Sequence, residues 1–253
     1  MSNKLVQKLE TDGLALMDTA CPIELTEVLW NTFQHRYEKI NSVLDRKKIG
    51  IGSHAGYEEI VQRSPGRWDI PITPEEFGID EKKAIWWPLI SSVLGETAEH
   101  SFSGVVFSEP QSPAQHWHID SPHISATHKP AHALNVMLAL HDIPITMGPT
   151  EYACGSHFLT NHLHNQSLRP EKLIYQHAET DPECLVDKNT LYTSKTYAAE
   201  LLQGSCQIFD DRLLHRGLAN MSKTNRYIAY FSYRRKGYIS NTHFESQKSL
   251  FNN

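Results

Sequence analysis

The chain is short of several things, and each shortage removes a class of explanation. It has four cysteines (Cys21, Cys154, Cys184 and Cys206), far apart and with no CxxC pair. That spacing argues against a disulfide-stapled scaffold or a cysteine zinc site, and for reduced thiols in a cytoplasmic protein. No apolar run is long enough to span a bilayer, and the opening "MSNKLVQKLETDG" lacks the apolar centre of a secretory leader. Basic charge is not in excess: 24 Lys and Arg stand against 29 Asp and Glu, interspersed, for a formal net charge of −5. Nucleic acid or an anionic membrane would need a basic patch, so neither is expected as a partner. There are no internal repeats, no low-complexity tracts and no dividing linker in the 253 residues. One domain over residues 1–253, as a monomer or homodimer, is the expectation, and a hydrophobic content of 40% gives it a sizeable core.

Histidine is what the chain has in quantity, 15 in all. Most must be ordinary, so the question is which few are not.

The first third reads as helical. Residues 22–44, "PIELTEVLWNTFQHRYEKINSVL", place Leu25, Val28, Leu29, Phe33, Tyr37, Ile40 and Leu44 at three- and four-residue steps, with Pro22 suited to a first turn. A second, shorter helix is predicted within 81–96, begun or kinked by Pro88. Between them "IGIGSHAGYEEIVQRSPGRWDIPITPEE" is rich in Gly, Pro and polar residues and is predicted to be an ordered loop. From about residue 100 the period shortens to that of strands. "SFSGVVFSE", "AQHWHID", "HALNVMLALHDI", "AELLQGSCQIFD" and "NRYIAYFSYRR" are β-rich runs separated by turn residues. A β-sandwich or barrel covered on one side by helices follows. The polar stretch 158–195 breaks the rhythm and is expected to be an insertion, a usual place for a lid.

Within this β region sits "QHWHIDSPH", residues 115–123. On a strand, His116, His118 and Asp120 point one way while Trp117 and Ile119 point the other. A His-x-Asp pair presents a nitrogen and a carboxylate oxygen on one face. With one distant histidine it makes the two-histidine, one-carboxylate triad that leaves three octahedral positions open, as in non-haem Fe(II) oxygenases. A shifted register using His116 and His118 would lack the nearby carboxylate. His215, after the apolar run in "FDDRLLH", is the candidate third ligand, and Arg226 follows in the next strand beside Ile228 and Tyr230. A lone arginine on so apolar a strand needs an anion, and a dicarboxylate co-substrate would supply it. The alternative is an arginine reaching to solvent from a strand end.

"HWHID", "GPTEYACGSH" (148–157) and "FDDRLLHRGLANMSKTNR" (209–226), in this order, resemble the phytanoyl-CoA dioxygenase family, and "LETDGLALMD" resembles its first strand. The resemblance covers roughly residues 100–235. It implies a double-stranded β-helix core (jelly-roll, cupin-like) with an N-terminal helical layer. It also implies Fe(II), 2-oxoglutarate and O2, with His118, Asp120 and His215 as iron ligands and Arg226 on the distal carboxylate of 2-oxoglutarate. "GPTEYACGSH" matches a turn that shapes the wall of the site. Some relatives carry a hydroxyl two positions after the distal histidine; here that position is Gly217, which removes the contact. Halogenating relatives replace the carboxylate ligand, and Asp120 is intact.

The expected activity is oxidation of an unactivated C–H bond of a free small molecule, with release of succinate and CO2. Hydroxylation is the default, and desaturation or oxidative cyclisation are the variants. No cluster of Lys and Arg suggests a site for the phosphates of CoA. Asn135 is a candidate donor to co-substrate or substrate. Gln115, His116 and His123 are candidates for the substrate side, with a structural or surface role as the alternative for both histidines. Two other readings compete: a metal-binding β-helix sensor without catalysis, and a zinc hydrolase on the same ligands. The second would need a general-base carboxylate that no residue convincingly provides.

Overall fold

The computed structural model describes residues 2–18, 21–125, 127–158, 196–239 and 248–251. The insertion expected at 158–195 therefore lies, but for Phe158, outside the described residues, as do Cys184, His162, His164 and His177.

Helices come first, as the periodicity predicts. Helix α1 covers Ser2–Asp12, strand β1 Leu14–Met17, and α2 Ile23–Asn41. Pro22 is the residue before α2, and Leu29, Phe33 and Ile40 of its apolar stripe are buried, while Val28 stays exposed. The second predicted helix is shorter than 81–96. Residues Glu81–Lys83 form a 3-10 turn and α4, Trp87–Leu94, begins at Pro88, whose fixed φ suits a first turn and not the interior of a longer helix. A one-turn α3, Pro74–Phe77, is closed at its start by a capping box between Thr73 and Glu76.

The loop predicted between the helices is in part a β-hairpin. Strands β2 (Val61–Ser64) and β3 (Arg67–Pro71) turn at Gly66, whose φ of +67° suits glycine. The Gly- and Pro-rich flanks hide the short apolar pattern of Val61, Trp68 and Ile70, all of which are buried.

The remaining strands are β4 (Glu99–Ser108), β5 (Ala133–Ala139), β6 (Thr150–Ala153), β7 (Thr196–Tyr197), β8 (Cys206–Asp210), β9 (His215–Gly217) and β10 (Arg226–Arg234). They form a seven-stranded sheet in the order β1-β8-β5-β10-β4-β3-β2 and a three-stranded sheet in the order β7-β6-β9. Every pairing in both sheets is antiparallel. "GPTEYACGSH" is thus a short strand, β6, bounded by two left-handed glycines, Gly148 and Gly155. "AELLQGSCQIFD" is strand only in its second half.

The large sheet has two unlike faces, and alternation along β10 and β5 sets them. Ala229, Phe231, Tyr233, Leu134, Val136 and Leu138 point outward into the main core against α2 and α4. Trp86 donates to the Tyr233 hydroxyl at 2.9 Å, so the one polar group on that indole is satisfied inside the apolar layer. Each such fully buried side chain contributes about 1.5–3 kcal/mol. The inner face carries Arg226, Ser232, Asn135 and Gln207 instead. It looks at the small sheet, where Tyr152 of β6 donates to Gln207 of β8 at 3.0 Å. The fold is a mainly β jelly-roll with a helical layer on its outer face, as the sequence predicts.

Candidate metal centre

His118, Asp120 and His215 meet between the two sheets. One ligand atom from each lies within 4.8 Å of the others, and they are the one such group of three among the described residues. The predicted strand 114–120 is less regular than its alternation suggests. It is an extended segment with a single bridge, His118 to His215, because its partner β9 is only three residues long. The alternation survives even so: Trp117 packs on the far side with Ala153 and Leu214, under the Arg216 guanidinium at 4.6 Å.

Both histidines are oriented in the same way. Nδ1 of His118 donates to the His116 carbonyl and Nδ1 of His215 to the Leu213 carbonyl, each at 2.9 Å. With the proton committed to Nδ1, the lone pair sits on Nε2, the tautomer a metal ligand requires. Burial, and the neighbouring His215 after it, hold the His118 imidazole down to about pKa 4, so it is neutral at physiological pH. The floor under His215 is aromatic, with Phe209 at 4.7 Å and Tyr152 stacked at 6.2 Å between ring centroids.

Asp120 is different. It ends the extended segment, its side chain is 40% exposed, and its backbone N–H donates to the Asp211 carbonyl at 2.8 Å. One carboxylate oxygen, Oδ1, lies 3.7 Å from His215 Nε2. The other, Oδ2, accepts from Asn135 Nδ2 at 2.6 Å. The donor set fits a divalent metal: two imidazoles that present Nε2 and one carboxylate, converging from two segments that share backbone hydrogen bonds.

Arg226 lies on the inner face of β10, 3% exposed. It donates through one terminal nitrogen to the Gly148 carbonyl, and its Nε has no partner. No carboxylate pairs with it among the described residues. Burial, with Arg67 nearby as a second cause, pulls its pKa down to about 9, so it remains a cation at neutral pH. Gly148 must be glycine: at φ +69° a Cβ would sit 2.3 Å from the Leu218 carbonyl oxygen. An unpaired buried cation with an orphaned N–H suits an incoming carboxylate. Tyr152 stacks on His215, and both it and Arg226 lie on the facing inner sides of the two sheets.

Arg67, which the sequence does not single out, fills the space above Gly217. Its guanidinium donates to Ser108 Oγ at 2.6 Å and to the carbonyls of Pro113, Gly217 and Leu218. Burial lowers its pKa to about 10. A side chain at position 217 would have to displace the ends of Arg67 and Gln115, which lie 2.6 and 2.8 Å from where its Cβ would stand.

The other predicted residues fall in different places. Gln115 pairs with Gly217 on both sides, its Oε1 accepting from Gly217 N at 3.0 Å and its N–H donating to the Gly217 carbonyl at 2.9 Å. It thus secures the end of β9. Asn135 has both ends of its amide engaged within the protein, by Asp120 and by Ser232. His116 is exposed. His123 is 4% exposed and not at a rim; it is packed beside Arg212 and His128. Arg212 pairs with Asp210 at 2.6 Å and donates to the Lys129 carbonyl, in the same loop as His123, at 2.9 Å. His141 and His157 make backbone contacts, as ordinary histidines do.

A two-layer antiparallel jelly-roll with two histidines and a carboxylate at its centre defines the class of cupin-like metal oxygenases. The chain belongs to the phytanoyl-CoA dioxygenase (PhyH) family, which matches residues 32–228. Family membership makes it an iron- and 2-oxoglutarate-dependent enzyme of the oxygenase type, and the donor set above fits those cofactors. No curated protein matches the chain by sequence. Solved structures share the fold at low identity. AviO1 from Streptomyces viridochromogenes Tue57 is 15% identical with a TM-score of 0.64, covering 94% of this chain and 97% of that one. HygX from Streptomyces hygroscopicus, solved with nickel and 2-oxoglutarate, is 11% identical with a TM-score of 0.63, covering 95% and 89%. The epimerase SnoN in complex with Fe3+, alpha ketoglutarate and nogalamycin RO is 16% identical with a TM-score of 0.63, covering 96% and 94%. No helix among the described residues is long and apolar enough to cross a membrane.

Proposed function

We propose that His118, Asp120 and His215 hold Fe(II), that Arg226 receives the distal carboxylate of 2-oxoglutarate, and that the enzyme oxidises an unactivated C–H bond of a free small molecule. Arg226 carries this reading. Its guanidinium is buried with one hydrogen bond, to the Gly148 carbonyl, an unpartnered Nε and no carboxylate among the described residues, an arrangement that an incoming carboxylate would complete. Neither a sensor nor a zinc hydrolase needs it.

When bound, iron with 2-oxoglutarate and O2 supplies the oxidant: the co-substrate loses CO2 to become succinate, taking one oxygen atom, and the other is available to the substrate. The chain's own residues do the positioning. His118 and His215 each point a Nε2 lone pair inward because Nδ1 is tied to a backbone carbonyl. Arg226, fixed by the Gly148 carbonyl, presents its remaining N–H groups for a bidentate bond to a carboxylate. Tyr152, Phe209 and Leu213 keep that end of the compartment apolar and dry, which strengthens each charged contact.

Hydroxylation is the default outcome. The substrate is a free small metabolite, of the kind processed in natural-product biosynthesis: the fold is shared with an epimerase and with a carbocyclase from nogalamycin biosynthesis. No basic cluster favours a CoA ester. The test is a screen of small metabolites for stimulated succinate release, with product mass as the second readout. A gain of one oxygen atom supports hydroxylation; a loss of two hydrogens or an unchanged mass replaces it with desaturation, cyclisation or epimerisation. Stimulation by acyl-CoA esters alone would overturn the free-metabolite assignment.

A further inference from the structure

The carboxylate is the least restrained member of the triad. Asp120 sits at the exposed end of its segment, and no bond from that segment fixes the rotation of its side chain. What fixes it comes from the centre of the large sheet. Asn135 Nδ2 donates to Asp120 Oδ2, and the Ser232 hydroxyl donates to Asn135 Oδ1. Asn135 and Ser232 are directly opposite each other in the β5–β10 ladder. Each is also paired on its far side, Asn135 with Phe209 and Ser232 with Phe102. Neither backbone can move without disturbing three strands.

We infer that Asn135 and Ser232 are positioning residues that make Asp120 a one-oxygen metal ligand. The two carboxylate oxygens are not equivalent: Oδ2 is held by the amide, and Oδ1 faces His215 Nε2. A carboxylate that turned to bind through both oxygens would occupy a position that the co-substrate or O2 needs. Ser232 does the less obvious part. An asparagine amide can flip, and a flipped Asn135 would set its carbonyl against the carboxylate, acceptor against acceptor. The acceptor-only carboxylate disfavours that flip, and the Ser232 hydroxyl, donating to Oδ1, anchors the far end of the amide so that its rotation is fixed. The role rests on the proposed triad, since without a metal there the relay holds only a surface aspartate.

The experiment uses the full-length, metal-free protein and Co(II), whose visible absorption reports coordination without turnover. The variants are Asn135→Ala, Ser232→Ala, Ser232→Thr and, as a reference, His215→Ala. Loss of a partner that orients a ligand weakens metal binding by about 10–100-fold. Asn135→Ala is expected to weaken Co(II) binding by that factor and to change the Co(II) spectrum. Ser232→Ala should move both readouts the same way by less, and Ser232→Thr, which keeps the hydroxyl, should restore them. Wild-type affinity and spectrum in both alanine variants would overturn the relay while leaving the triad in place. Should Asn135→Ala fail to fold, the contrast between the two Ser232 variants decides. Equal Co(II) binding by wild type and His215→Ala would overturn the triad itself.

Discussion

His118 and His215 exchange both of their backbone hydrogen bonds, at 3.0 and 2.9 Å, and their ring centroids lie 4.3 Å apart. A hydrogen-bonded antiparallel pair puts its two side chains on the same face of the sheet. Two imidazoles from distant parts of the chain are thereby fixed side by side before any metal arrives. Asp120, two residues beyond His118, then falls on the same side.

Removing a ligand should abolish turnover without unfolding the protein. His215→Ala and Asp120→Ala are expected to lose all succinate formation, and Fe(II) affinity should fall by more than the ~100-fold that follows loss of an outer partner. Far-UV circular dichroism should be unchanged. Turnover surviving in either variant would break the assignment.

Arg226→Ala should weaken 2-oxoglutarate binding by about 2 kcal/mol or more, close to thirty-fold in Kd, the scale of a charged hydrogen-bonded pair. Calorimetric titration of the iron-loaded protein under anaerobic conditions measures it. Unchanged affinity would return Arg226 to a structural role.

Restoring the hydroxyl that some relatives carry should do harm here. In Gly217→Ser the new Cβ would meet a terminal nitrogen of Arg67 at 2.6 Å and Oε1 of Gln115 at 2.8 Å. Overpacking of this kind costs about 1–3 kcal/mol. The unfolding midpoint in urea should drop, with no gain in co-substrate affinity. A tighter-binding, equally stable variant would show that Arg67 yields readily.

Acid should destabilise the fold in a window set in part by His123. Burial, and the Arg212 guanidinium after it, hold that imidazole down to about pKa 3. The unfolded chain takes up its proton near pH 6.5. Between those values the unfolded state binds the proton and the folded state does not, so stability falls as pH falls from 6.5 toward 3 and is unaffected above 6.5. His123→Gln removes this proton, and its urea midpoint should change less between pH 7 and pH 4.5 than that of the wild type. An equal change would exclude His123 as a contributor.

The parts legible in the sequence were those written in local alternation. His118 and Asp120 against Trp117 and Ile119, or Arg226 against Tyr227, need only a two-residue period, and the structure keeps each on its expected side. Relations across the fold were not legible. Arg67 lies in a stretch whose glycines and prolines read as loop, and its place over Gly217 depends on a hairpin that only tertiary pairing reveals. Ser232 looks like one more alternating residue until its ladder partner is known to be Asn135. His123 follows a proline past a strand end, which suggests the surface, yet it is 4% exposed, near the buried Asp210–Arg212 ion pair that the sequence does not reveal.

One compartment is proposed to hold both the metal and, through Arg226, a carboxylate of the co-substrate. Anaerobic titration of the Fe(II)-loaded protein with 2-oxoglutarate tests it most directly, by the weak visible charge-transfer band of a chelated 2-oxo acid. The band is expected to form in the wild type and to be missing from Arg226→Ala at the same concentration. Iron bound in the wild type with no band at any concentration would contradict it.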